Sequence, residues 1–101
     1  MLPIRWMASE CFYGQFSAKT DVWAFGATMW EVFELAKHEP YHEMLDMDLV
    51  RDACRRQERK LLSRPQACPE AVYDVMLRCW CHKASDRATF QELHESLSSL
   101  L

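Results

Sequence analysis

Asp21-Val22-Trp23-Ala24-Phe25-Gly26-Ala27-Thr28-Met29-Trp30-Glu31-Val32-Phe33-Glu34-Leu35 is the stretch whose reading decides the fold. No charge stands between Asp21 and Glu31. A surface helix would show a polar stripe every three to four residues, and none is present here. The pattern therefore predicts a helix over Asp21–Leu35 that is buried on most of its circumference. It is too short to span a bilayer, which needs roughly 20 apolar residues. Trp23 and Trp30 lie about two turns apart on one face, where large aromatics anchor neighbouring helices.

The remaining segments read as helices packed around this one. Pro3 biases Leu2 away from helix, so residues 1–8 are expected to be extended. Ser9–Tyr13 is expected to form a short helical turn stopped by Gly14. Ser17, Thr20 or Asp21 would cap the central helix. Pro40 makes 36–45 a loop. A second helix is expected from Asp46, as N-cap, to about Arg56, with Leu49, Val50, Ala53 and Cys54 at helical spacing. Residues 57–68 should be irregular. A third helix begins near Pro69 and carries Val72, Val75, Met76, Cys79 and Trp80. A connector follows over His82–Ala88. A fourth helix starts at Thr89, where Thr89 and Glu92 form a capping box, and presents Phe90, Leu93, Leu97 and Leu100. The fold class is all-α.

Composition narrows the function. A chain of 101 residues is one domain or part of one. Its net charge of −3 gives no general reason to expect nucleic acid or an anionic membrane as partner. Five irregularly spaced cysteines fit reduced thiols in a cytosolic setting better than a disulfide framework. Met1-Leu2-Pro3-Ile4 carries no basic leader, and no run is long enough for a signal peptide or membrane span. Two glycines, Gly14 and Gly26, cannot build a glycine-rich phosphate cradle.

Few residues invite a chemical role unaided. Cys79-Trp80-Cys81-His82 matches no common zinc spacing, and a helix would point the two thiols apart, so no metal site is expected. Tyr73 within Tyr73-Asp74-Val75-Met76 reads as packed rather than as a docking tyrosine. His38, His42, His82 and His94 form no constellation. Arg51, Arg55, Arg56, Arg59, Lys60 and Arg64 read either as a solvated helix face or as a patch for phosphate or an acidic partner. Glu10 and Arg87 stand out as separated charges that could staple the two ends of the chain together.

Four motifs in order give that pair its meaning. Pro3-Ile4-Arg5-Trp6-Met7-Ala8-Ser9-Glu10 resembles the end of the activation segment of protein tyrosine kinases, usually Pro-Ile/Val-Arg/Lys-Trp-Met-Ala-Pro-Glu. Phe16-Ser17-Ala18-Lys19-Thr20-Asp21-Val22-Trp23-Ala24-Phe25-Gly26 is similar to the central helix of the kinase large lobe. Cys68-Pro69, Tyr73, Met76 and Cys79-Trp80 resemble the next landmark, and Arg87-Ala88-Thr89-Phe90 the closing Arg-Pro-Thr-Phe. Within this family the chain most resembles the discoidin-domain receptor tyrosine kinases, through Glu10-Cys11, Leu62-Ser63-Arg64-Pro65, Ala67-Cys68-Pro69 and Met76-Leu77-Arg78-Cys79-Trp80.

The resemblance implies the lower helical half of the large lobe, with about four main helices around a buried central one. It also implies roles. Pro3, Ile4, Arg5 and Trp6 would position the substrate tyrosine. Glu10 and Arg87 would form a structural ion pair, and Asp21 would anchor the catalytic loop. Trp23, Trp30 and Trp80 would anchor the core. Ser9 and Ala88 replace family prolines, which leaves the flanks of the pair less rigid.

The parent it implies is a single-pass plasma-membrane receptor, responsive to collagen, with its kinase region on the cytoplasmic side. That parent would use ATP and Mg²⁺. Its partners would be a substrate tyrosine on protein, the remainder of the kinase domain, and a signalling partner on the 46–56 helix. The glycine-rich lid, strand lysine, catalytic-loop Asp and Asn and metal-binding Asp that phosphoryl transfer requires have no counterpart in residues 1–101. The expected unit is therefore a partial domain without N-lobe or catalytic loop, inactive alone and binding no nucleotide itself. A pseudokinase lobe used for docking is the alternative.

Overall fold

The computed structural model of the chain describes residues 4–56, 59 and 61–100, the side chains of Arg55 and Arg56 excepted. Among these residues there is no strand. The main helices are α1 (Ala18–Phe33), α2 (Asp46–Arg56), α3 (Glu70–Cys79) and α4 (Phe90–Ser99).

The central helix is α1, and its burial is one-sided. Thr20, Val22, Trp23, Gly26, Ala27 and Trp30 are buried, whereas Asp21, Thr28 and Val32 on the other side are exposed. The uncharged run thus marks a helix with apolar residues on both faces, of which these elements cover one. The Ser17 N–H donates to Thr20 Oγ1 at 3.1 Å, which closes the first turn. The helix stops at Phe33, short of the predicted Leu35. There Leu35 and Ala36 take left-handed backbone, φ 58° and 56°, and turn the chain.

At Gly26 the backbone of α1 comes close to the end of α3. A Cβ there would stand 2.7 Å from both Cys79 Cβ and Trp80 Nε1, so only glycine fits. Trp80 lies between Trp23, at 6.5 Å between ring centroids, and Tyr73, at 6.3 Å edge-on. Its indole N–H is buried without a partner among the described residues. Trp30 instead donates to Ser63 O at 2.8 Å, and Tyr73 donates to Leu62 O at 2.6 Å. Those two bonds pin the irregular strip before α3 onto the core. The edge of Phe25 meets the Phe90 ring of α4 at 5.9 Å.

Several boundaries differ from expectation for local reasons. Ile4–Trp6 forms a 3₁₀ turn rather than extended chain, because Arg5 must turn inward to find its partners. Asp46 is the first residue of α2 and not its cap. Pro69 and Thr89 are N-caps, so α3 and α4 start one residue later. The Thr89–Glu92 capping box is present, with Glu92 N–H donating to Thr89 Oγ1 at 3.1 Å and Thr89 N–H to Glu92 Oε1 at 2.9 Å. Ser9–Tyr13 is a 3₁₀ helix stopped by Gly14 at φ 76°.

Candidate functional site

Residues 4–10 run across one end of the helical body, held by two arginines. Arg5 is buried, and its guanidinium donates to Pro40 O at 3.0 Å, Tyr41 O at 2.7 Å and Met44 O at 2.8 Å. It also meets Asp46 at 2.9 Å and Glu39 at 3.4 Å. Arg5 thereby fastens the connector between α1 and α2 beneath the predicted substrate shelf. Arg59 braces the shelf itself, donating from Nη1 to Ile4 O at 2.9 Å and Met7 O at 2.7 Å. Its guanidinium carbon lies 4.7 Å from the Tyr41 ring centroid and 5.5 Å from that of Phe12. Burial pulls the Arg59 pKa below its ordinary value, against the opposing influence of Tyr41. Trp6 ties the same stretch to α1, its indole donating to Glu31 Oε1 at 2.5 Å. Pro3 lies outside the described residues.

The other end of this stretch is Glu10, and the structure brings it to Arg87. Arg87 Nη1 reaches Glu10 Oε2 at 2.6 Å and Nη2 reaches Oε1 at 2.8 Å, a two-pronged pair. Every other donor of that guanidinium is used as well: Nε to Cys81 O at 2.7 Å, Nη1 to Lys19 O at 3.1 Å and Nη2 to His82 O at 3.0 Å. The Arg87 side chain has 0% exposure, and its guanidinium carbon sits 5.1 Å from the Trp23 ring centroid. Thr20 donates its hydroxyl to Glu10 Oε2 at 3.0 Å. Burial pushes the Glu10 pKa up, but the bonds from Arg87 and Thr20 outweigh it and hold the carboxyl below the ordinary value.

Ala88, where the family pattern has proline, uses its N–H to reach Arg78 O at 3.0 Å. Proline could not make that bond. The flank is thus tied to α3 by a hydrogen bond where a ring would stiffen it.

Asp21 sits exposed in the first turn of α1, its carboxylate without a hydrogen-bond or ion-pair partner among the described residues. Trp23, Trp30 and Trp80 are all buried in the core. Of the six basic residues of the predicted patch, Arg51 is exposed, and the side chains of Arg55 and Arg56 lie outside the described residues. Arg59 is drawn inside by two backbone carbonyls, and Arg64 turns back onto Cys68 O at 2.7 Å. Lys60 lies outside the described residues. Leu45, just before α2, and Met47 in its first turn are each 72% exposed, among exposed Asp46, Asp48 and Arg51. Cys79 is buried, which pushes its thiol up to about 12, an inert form. All five cysteines are free.

Sequence reading missed Arg59 and also Lys19, whose ammonium donates to Arg87 O at 2.7 Å and Ala84 O at 3.3 Å. Both act on backbone carbonyls, which every residue has, so no residue pattern announces them.

This all-helical arrangement, clipped by the Glu10–Arg87 pair, is consistent with the helical lobe of the protein-kinase class. A family model described as protein tyrosine and serine/threonine kinase matches residues 1–97, and the chain belongs to that family. It is 45% identical over 103 residues to the epithelial discoidin domain-containing receptor 1 of Homo sapiens, covering 97% of this chain and 11% of that receptor. The discoidin domain-containing receptor tyrosine kinase B of Caenorhabditis elegans is 42% identical over 107 residues, covering 100% of this chain and 13% of that protein. The NT-3 growth factor receptor of Sus scrofa is 40% identical over 101 residues, covering 99% and 12% respectively. The chain therefore spans between 11% and 13% of the length of these relatives. Among the described residues no helix is long and apolar enough to cross a membrane.

Proposed function

We propose that residues 1–101 are the substrate-positioning end and helical scaffold of the catalytic domain of a receptor protein tyrosine kinase. The parent transfers the γ-phosphate of ATP to tyrosine on protein substrates, from the cytoplasmic side of the plasma membrane. The bracing of residues 4–10 carries this reading. Arg5, Trp6, Arg59 and Glu10 each fasten that stretch to a different element. Such a shelf presents a substrate backbone in fixed register, which is what positioning contributes to phosphoryl transfer. Discoidin-type relatives make a collagen-responsive parent the fitting one.

Nucleotide and Mg²⁺ do not fit the residues present. Gly14 is spent on stopping a 3₁₀ helix, and Gly26 is packed against Cys79 and Trp80, so neither can cradle phosphate. Both would bind in the remainder of the domain, whose catalytic loop would take up the free carboxylate of Asp21. The exposed Leu45 and Met47 at the start of α2 offer a contact for a signalling partner.

Replacing the matching stretch of the human discoidin receptor kinase domain by residues 1–101 tests the reading. The chimaera should phosphorylate a tyrosine peptide, while the 101-residue chain neither transfers phosphate nor binds nucleotide. A folded but inactive chimaera, or saturable magnesium-dependent nucleotide binding by the chain alone, would overturn it.

A further inference from the structure

The chain has three tyrosines, Tyr13, Tyr41 and Tyr73, in unlike surroundings. Tyr41 is 3% exposed, and its ring centroid lies 4.7 Å from the Arg59 guanidinium carbon. Tyr73 packs edge-on against Trp80 and donates its hydroxyl to Leu62 O at 2.6 Å, a short bond between oxygens. Tyr13 differs from both. It is 52% exposed, and its hydroxyl donates to Cys54 O at 3.2 Å, longer than such bonds usually are.

The backbone at Tyr13 is also the easiest of the three to present to an enzyme. Tyr13 ends the 3₁₀ helix Ser9–Tyr13, Gly14 turns left-handed, and residues 15–17 follow without helix or strand. Every residue from Tyr13 to Ala18 is exposed. A short 3₁₀ turn followed by exposed chain opens locally at lower cost than the packed surroundings of Tyr41 and Tyr73. Tyr13 borders an open cleft of about 550 Å³, whose other titratable side chains are Glu10, His82 and Lys83. The Glu10 carboxylate is already paired with Arg87, so the cleft sets no idle carboxylate against added negative charge.

We propose that Tyr13 is a phosphate acceptor, modified in trans by the active site of a second copy of the parent kinase. The identity of that enzyme rests on the function proposed above, whereas the accessibility of the hydroxyl does not. Tyr13 Oη attacks the γ-phosphorus of ATP, and the bond from that phosphorus to the β–γ bridging oxygen breaks. ADP leaves with the electron pair, and the phenolic proton passes to the catalytic-loop aspartate of the phosphorylating copy. The product carries a charge of about −1.5 to −2 at neutral pH. As a dianion it has no proton to donate to Cys54 O, so the bond from Tyr13 to α2 is lost.

Incubating the human discoidin receptor chimaera with magnesium and ATP, then locating phosphate by mass spectrometry, tests the site. Phosphate should accumulate on Tyr13 at least about 10-fold faster than on Tyr41 or Tyr73, which react only after local opening. The rate per molecule should rise with chimaera concentration, as a reaction between two copies requires. A chimaera that phosphorylates the tyrosine peptide but leaves Tyr13 bare overturns this inference and leaves the proposed function standing. So does phosphate on Tyr41 or Tyr73 at an equal rate, or a rate independent of concentration. If the chimaera does not act on the peptide, the proposed function fails instead. Tyr13 is then tested by adding the intact human receptor kinase domain and ATP: preferential phosphate on Tyr13 upholds the acceptor, and its absence overturns it.

Discussion

Arg87 and Arg59 are both buried arginines, and they are held in opposite ways. Arg87 spends its donors on one carboxylate and three carbonyls, leaving none idle. Arg59 places one nitrogen on two carbonyls and its guanidinium carbon near two aromatic rings, while its buried Nη2 has no partner among the described residues. A buried charge left incompletely bonded costs more than one fully bonded. The contrast separates a lock from a brace: Arg87 closes the chain onto α1, and Arg59 steadies the shelf.

The lock should show the largest effect. Arg87→Ala or Glu10→Ala leaves an uncompensated buried partner and should cost about 3–5 kcal/mol in urea unfolding followed by tryptophan fluorescence. Its pH dependence has a definite sign. The Glu10 carboxyl is lowered in the folded chain from 4.5, so the contribution is complete above that value and is lost as pH falls through the lower native one. Stability of the parent chain should therefore decline in acid more steeply than that of Glu10→Gln.

Next in size is Gly26→Ala. Its added methyl meets Cys79 Cβ and the Trp80 ring on a packed helix crossing, at a cost of about 1–3 kcal/mol. A near-neutral outcome would mean that α1 and α3 are further apart than described. Smallest is Arg59→Met, which fills the same space and removes the orphaned donor along with two carbonyl bonds. The opposing terms should leave a change within about 1 kcal/mol. A loss as large as that of Arg87→Ala would erase the distinction between lock and brace.

How much of this was legible in the sequence follows from the kinds of partner involved. Periodicity located every main helix, because apolar spacing is a direct record of which face is covered. It did not reveal that α1 is open along Asp21, Thr28 and Val32, since an uncharged run does not say which of its faces is covered. Glu10 and Arg87 were found through motif order, and two opposite side-chain charges leave a mark at both positions. Arg59 left none at its hydrogen-bond partners, since Ile4 and Met7 contribute only carbonyls, and Arg5 reaches three carbonyls as well as Asp46 and Glu39. Arg59 was assigned to a surface patch for that reason. His38 and His42 stack with ring centroids 4.0 Å apart, which escaped notice because the left-handed bends around them fall at Leu35, Ala36 and Tyr41, residues without a turn signature.

A double-mutant cycle on Glu10→Gln and Arg87→Met, read by urea unfolding at pH 7, tests the central claim that one carboxylate–guanidinium contact closes the polypeptide over α1. Coupling at the upper end of the range for contacting pairs, about 2–3 kcal/mol, is the expected result. Strictly additive losses would mean that the two residues act independently, and the closure would have to be sought elsewhere in the lobe.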